Sequence, residues 1–245
     1  IYMDSTVYLN GHAIGGHGYG YSSFVTDCTG WLKPEGNVLA VRVDNGRQPN
    51  SRWYTGSGIY RDVFLIAADA VHMAPWGLRC CTNGLYLDNQ LATLQIQAAI
   101  ANDSGVRVNA GVIHRLLDAE GNEVCVSGTA LQLEPGQTSD CMTRPEVTNP
   151  HLWTDDDPYL YTLISTVVVD QTPVDEVKTR IGIRTATFDC DRGFLLNGER
   201  VKIKGMCVHH DCGLTGAVGY RETWERRLRA LKEMGCNGIR CAHNP

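Results

Sequence analysis

The chain has 245 residues, enough for one large domain or two smaller ones. Its 43% hydrophobic and 20% charged content fits an ordinary soluble globular protein, and no run approaches the ~18 apolar residues of a membrane helix. A net charge of −5 with no clustering of basic residues speaks against nucleic acid as a partner.

Residues 1–69 read as all β. The chain opens with Ile1 and enters strand-like sequence at once, so a signal peptide is neither seen nor excluded, and a fragment of a longer protein is expected. Thr6-Val-Tyr-Leu-Asn10-Gly11 is a strand running into an Asn-Gly turn, the strongest short hairpin signal. Residues 37–44 alternate, with Leu39, Val41 and Val43 on one face, and residues 59–66 predict a further strand. Residues 44–58 between them form a long polar loop, and its Trp53 and Tyr54 argue for function over disorder.

Residues 70–182 are a second β region. Leu94, Ile96, Ala98 and Ile100 alternate, as do Val106, Val108, Ala110 and Val112, and residues 160–169 read as another strand. Short strands separated by turns over this length are the pattern of an immunoglobulin-like sandwich, here without a recognisable Cys–Trp–Cys core.

Residues 183–245 carry the hairpin turn Asn197-Gly198 and then a strand from residue 199 that ends in His209, His210 and Asp211. Trp224, Leu228, Leu231 and Met234 lie on one face of a 3.6-residue helix, and Gly235 follows as its C-cap. A last strand delivers Arg240 and His243. Polar residues at the C-terminal ends of successive parallel strands are the signature of an α/β-barrel active face. One βαβ unit cannot close a barrel, so most of the barrel is expected to be absent.

Ten cysteines lie mostly within apolar strand patterns, which reads as reduced and buried, with structural disulfides left as the alternative. The compartment, cytoplasm or periplasm, stays open. A zinc reading competes for part of the set. Cys207 and Cys212 bracket His209 to Asp211, Cys236 and Cys241 precede His243, and each cysteine pair is separated by four intervening residues, near the wider zinc spacings.

Five ordered motifs carry a resemblance over most of the chain. They are residues 51–62 ending in Tyr60-Arg61-Asp62, Asn149-Pro-His-Leu-Trp153 through Pro158-Tyr-Leu-Tyr161, Gly182-Ile-Arg184, residues 194–205 with His209-His210-Asp211, and residues 240–245. Together they resemble glycoside hydrolase family 2. The resemblance implies a multi-domain, mainly β chain: the C-terminal part of a sugar-binding jelly roll over 1–69, an immunoglobulin-like sandwich over 70–182, and the truncated start of a TIM (β/α)8 barrel over 183–245.

Within the family the likeness is nearest to bacterial β-galactosidases, whose members carry an Asp at the position of Asp62. β-Glucuronidases tend to lack that Asp and to end the first barrel strand in His-Glu-Asp, where this chain has His-His-Asp. The resemblance implies substrate-binding roles for Asp62, His209, His243 and Arg240, with Arg240 holding neighbouring carboxylates. A strand-end His is more often structural, but two at corresponding ends of adjacent strands favour the site. Asp62 is also a candidate ligand for a Na or Mg cation in the full enzyme, while this chain itself requires no cofactor.

The implied partners are a β-galactoside and the rest of the barrel, with no nucleic acid or membrane, and with a homo-oligomeric parent left open. Retaining glycosidases need two carboxyl groups ~5–5.5 Å apart, and the family takes them from later strands, so the chain is expected to be inactive alone. A β-glucuronidase, a β-mannosidase or a non-catalytic carbohydrate-binding sandwich are the alternative readings.

Overall fold

The computed structural model describes residues 1–47 and 56–243, so Trp53 and Tyr54 lie outside the described residues. The chain forms two compact units. One is Ile66–Lys202, and the other joins Ile1–Leu65 with Ile203–Pro245.

The N-terminal segment holds β1 (Ser5–Leu9), β2 (His12–His17) and β3 (Leu39–Arg42) in an antiparallel sheet of order β2-β1-β3. Leu9 pairs with His12, leaving a two-residue connection in which Asn10 has φ 52° and Gly11 has φ 87°. Two left-handed residues are what a type I′ turn requires. The Asn10 side chain then anchors the next loop: Nδ2 donates to the Trp31 carbonyl at 2.8 Å, and Oδ1 accepts the Val38 amide at 2.9 Å. Along β1, Ser5, Val7 and Leu9 are buried, the period of two that a half-covered strand shows.

The strand expected over residues 59–66 does not form. After one bridge between Tyr2 and Gly58 the backbone runs without a ladder, and Val63, Phe64 and Leu65 are exposed. Alternating β-branched and aromatic residues favour an extended segment. A strand also needs a hydrogen-bonded partner, and none of the described residues supplies one.

Ile66–Lys202 is built on two antiparallel sheets. One contains β4 (Val71–Tyr86) and β5 (Leu91–Asn102). The other contains β6 (Val108–Leu117) and β7 (Glu123–Leu133). β8 (Thr138–Thr143) and β9 (Glu146–Thr148) both pair with β5. β10 (Tyr161–Val169) and β11 (Thr172–Ile181) complete the second sheet in the order β11-β10-β6-β7.

Alternate residues of β5, β6 and β10 point into the space between the sheets. One apolar cluster gathers Ile100, Val112, Leu133 and Val167, and a second gathers Leu94, Ile96, Leu116, Leu163 and Ile183. Each such side chain contributes about 1.5–3 kcal/mol by leaving water. The unit is therefore a β-sandwich, as the alternation of residues 94–112 predicts.

A small sheet closes this unit: β12 (Ala186–Asp189), β13 (Gly193–Leu196) and β14 (Glu199–Arg200). Its second turn is again Asn-Gly, with Asn197 at φ 51° and Gly198 at φ 83°. Asn197 is buried, accepts the Thr185 amide at 2.9 Å and donates to the Trp153 carbonyl at 3.1 Å. The single strand expected from residue 199 onward is thereby divided. Glu199 and Arg200 are used by the hairpin, and a new ladder begins at residue 205.

That ladder is parallel. β15 (Gly205–Val208) pairs in register with β16 (Gly238–Cys241), and α1 (Arg221–Glu233) connects them. Asn237 fixes the entry: its Oδ1 accepts the Lys204 amide at 2.7 Å, and its own amide donates to the Lys204 carbonyl at 3.0 Å. Gly235, at φ 86°, stops the helix and donates to the Lys232 carbonyl at 2.9 Å. The unit is strand, helix, parallel strand; no closed barrel is present among the described residues. No helix among them is long and apolar enough to cross a membrane.

Candidate functional site

Parallel pairing puts the C-terminal ends of β15 and β16 at the same edge. Val208 lies opposite Cys241, and the Ala242 amide extends the ladder by donating to the Val208 carbonyl at 2.9 Å. His209 and His243 leave the strands there, and their rings stand 4.9 Å apart between centroids, inclined at 38°. Ala242, fully buried, anchors the second strand end. His243 itself takes φ 71°, a left-handed conformation that costs a non-glycine residue about 1–3 kcal/mol when the surroundings impose it.

Arg240 is exposed on β16, where its Nη1 reaches Cys207 Sγ of the neighbouring strand at 3.6 Å. Asp62 is exposed. Asp211 builds the loop after β15, accepting the Gly213 amide on Oδ1 at 2.9 Å.

Arg61, which the sequence marks only through its place in Tyr60-Arg61-Asp62, joins distant parts of the chain. Its Nη1 donates to the Ala217 carbonyl at 2.9 Å, and its Nη2 lies 3.1 Å from His210 Nδ1. Its guanidinium carbon sits 4.7 Å above the centre of the Tyr60 ring. The Tyr60 hydroxyl donates to the Gly20 carbonyl at 2.6 Å, and the Tyr21 ring meets both Tyr60 and His210 edge-on. Burial, with the phenols of Tyr2, Tyr60 and Tyr19 nearby, pushes the Tyr21 hydroxyl up to about 12. Burial raises Tyr60 as well. Both phenols stay protonated donors at neutral pH. Contacts between residues about 150 positions apart leave no local pattern, so the motif contains Arg61 without showing what it holds.

All ten cysteines are free thiols. Among the described residues, the group of three or more whose ligand atoms all lie within 4.8 Å of one another is Asp189, Cys190 and Asp191, outside the cysteine–histidine set of the zinc reading. Asp189 Oδ1 is already engaged there by the amides of Asp191 and Arg192. What the edge of β15 and β16 offers is two imidazoles able to donate and accept hydrogen bonds, the chemistry that vicinal hydroxyls need.

A sandwich joined in sequence to a parallel βαβ unit with paired histidines at its strand ends is the order of elements that the resemblance to the multi-domain glycoside hydrolases implies, and direct comparison agrees. Residues 84–184 match the family model for glycosyl hydrolases family 2. Over its whole length the chain is 45% identical to Beta-galactosidase BoGH2A of Bacteroides ovatus, spanning 29% of that protein. It matches the crystal structure of a glycosyl hydrolase family 2 member from Bacteroides cellulosilyticus with a TM-score of 0.94 and 35% identity, covering 100% of this chain and 34% of that one. Bacteroides uniformis beta-glucuronidase follows, with a TM-score of 0.88 and 33% identity over 98% of this chain and 30% of that one. The chain belongs to glycosyl hydrolase family 2. It spans about a third of the length of each of these relatives.

Proposed function

We propose that these 245 residues are the sugar-binding portion of a retaining β-galactosidase that hydrolyses terminal β-galactosides. The observation that carries this reading is the His209–His243 pair, 4.9 Å apart at one edge of a parallel ladder. The 45% identity to a β-galactosidase across the whole chain supports it. In this account His209 and His243 hydrogen-bond the sugar hydroxyls. Asp62 accepts from vicinal hydroxyls or ligates a Na or Mg cation. Arg240 holds neighbouring carboxylates and tunes their ionisation.

Residues 1–69 then belong to a jelly roll, 70–182 to an immunoglobulin-like domain, and 183–245 to the opening of a (β/α)8 barrel whose remaining strands complete the site. The acid/base and the nucleophile, two carboxyl groups ~5–5.5 Å apart, come from those later strands. A second reading, β-glucuronidase, draws on the likeness to the Bacteroides uniformis enzyme, and it differs in placing a carboxylate where a galactoside carries a hydroxymethyl group.

Kinetics of the whole enzyme on an aryl β-galactoside test the site. His209→Ala and His243→Ala should each lower kcat/KM by roughly 10- to 100-fold, the loss of one or two hydrogen bonds to the reacting sugar, with the melting temperature unchanged. An unchanged kcat/KM removes the residue from the site.

A further inference from the structure

We propose that Arg61 is a positioning residue that clamps the loop after β15 and holds His210 as its neutral Nε2–H tautomer. The consequence for substrate rests on the sugar-site reading above, because the clamp fixes where His209 leaves its strand; the clamp itself does not depend on it.

Residues 209–219 have no ladder of their own. They are folded by local bonds: the Cys212 amide to the Gly216 carbonyl at 2.8 Å, the Thr215 hydroxyl to the Val218 carbonyl at 2.8 Å, and the Gly213 amide to Asp211. Such a loop is internally ordered, yet those bonds do not tie it to the rest of the unit. Arg61 does so at two points, Ala217 and His210, near its two ends.

The guanidinium group has five N–H donors and no acceptor. The ring nitrogen that faces it at 3.1 Å must therefore present a lone pair. His210 Nδ1 is unprotonated, so the ring proton of the neutral form lies on Nε2. The planar fork serves the two acceptors at once, which a lysine ammonium on the same stem would not do with the same geometry.

The clamp is itself held. Tyr60 lies beneath the guanidinium and is pinned through its hydroxyl to Gly20, while the Tyr21 ring stands edge-on to His210 at 5.8 Å. Space on the loop side is equally tight: a Cβ built on Gly219 would stand 3.3 Å from Arg61 Nη1 and 2.3 Å from Trp224 Nε1. The guanidinium thus meets an aromatic ring on one side and the loop backbone on another, while the side chain stays exposed. His210 directly follows His209, so fixing one fixes the exit path of the other.

The test is long-range proton–nitrogen NMR of the intact protein labelled with 15N-histidine, with His210 assigned by the signal that His210→Gln removes. Wild type should show an unprotonated Nδ1 and a protonated Nε2 at His210. Arg61→Gln should give a mixture of tautomers and lower kcat/KM on an aryl β-galactoside by roughly 10- to 100-fold, as displacement of a site element by about 1 Å can. If R61Q does not fold, Arg61→Lys is read instead; it keeps the charge, lacks the fork, and should also lose the single tautomer. A wild-type His210 protonated on Nδ1, or a spectrum unmoved by both substitutions, overturns the proposal. A tautomer that shifts as expected in a protein that does not turn over β-galactosides upholds the clamp and rejects the sugar reading.

Discussion

His114 is the side chain that its surroundings suit least. It sits on β6 between Val112 and Leu116, 1% exposed, with one apolar cluster on either side. Nδ1 lies 2.8 Å from Ser165 Oγ, and Nε2 is buried with no hydrogen-bond partner among the described residues. Burial pushes its pKa down to about 4 from the ordinary 6.5. The folded protein therefore keeps the ring neutral, while an unfolded chain takes up a proton as the pH falls through 6.5. Unfolding gains that proton, so stability falls between pH 6.5 and about 4, by about 3 kcal/mol in all. Urea titrations across this range should show the slope, and His114→Leu should flatten it. The sequence hinted at half of this. The alternation through Ala110 and Val112 runs on inward to His114, but nothing local says that Ser165 lies opposite it in the register. The candidate site divides in the same way. His209 and His243 were legible because a strand end fixes where they stand, whereas Arg61 acts through partners far along the chain.

Elements defined by short-range chemistry follow from the sequence. Both Asn-Gly turns take two left-handed residues, and α1 ends where Gly235 offers a left-handed cap. Its start is weaker. Tyr220 stands at the N-cap and makes no capping bond with its side chain, so Tyr220→Ser should stabilise the helix by about 1 kcal/mol. A rise in melting temperature, or slower amide exchange in the first turn, checks this. The turn at Asn197 works in the opposite direction, because its side chain serves both Thr185 and Trp153. Asn197→Ala should cost about 1–3 kcal/mol in denaturant titrations by stranding a donor and an acceptor in a buried place. Residues 59–66 and the split at residue 200 were not legible for a shared reason. Whether an extended segment becomes a strand depends on which partner is beside it, and that partner is set by tertiary structure.

At the scale of the molecule, the composition and strand texture pointed to a mainly β, multi-domain chain, and five motifs pointed to its family. That Ile1–Leu65 and Ile203–Pro245 form one compact unit depends on long-range contacts, which local pattern does not record. The 245-residue chain assayed alone should not turn over a chromogenic β-galactoside above background, because imidazoles and an aspartate can hydrogen-bond a sugar but do not make the acid and nucleophile pair. It should also associate on concentration, since Phe64 and Leu65 stand 79% and 77% exposed. Light scattering reads this directly. The central claim is that the parent enzyme acts on galactosides, and one measurement tests it: kcat/KM of that enzyme on matched aryl β-galactoside and aryl β-glucuronide. The enzyme should prefer the galactoside by roughly 100-fold or more, as expected for a site built around hydroxyls and not a carboxylate. Equal turnover of the two, or a preference for the glucuronide, would contradict it.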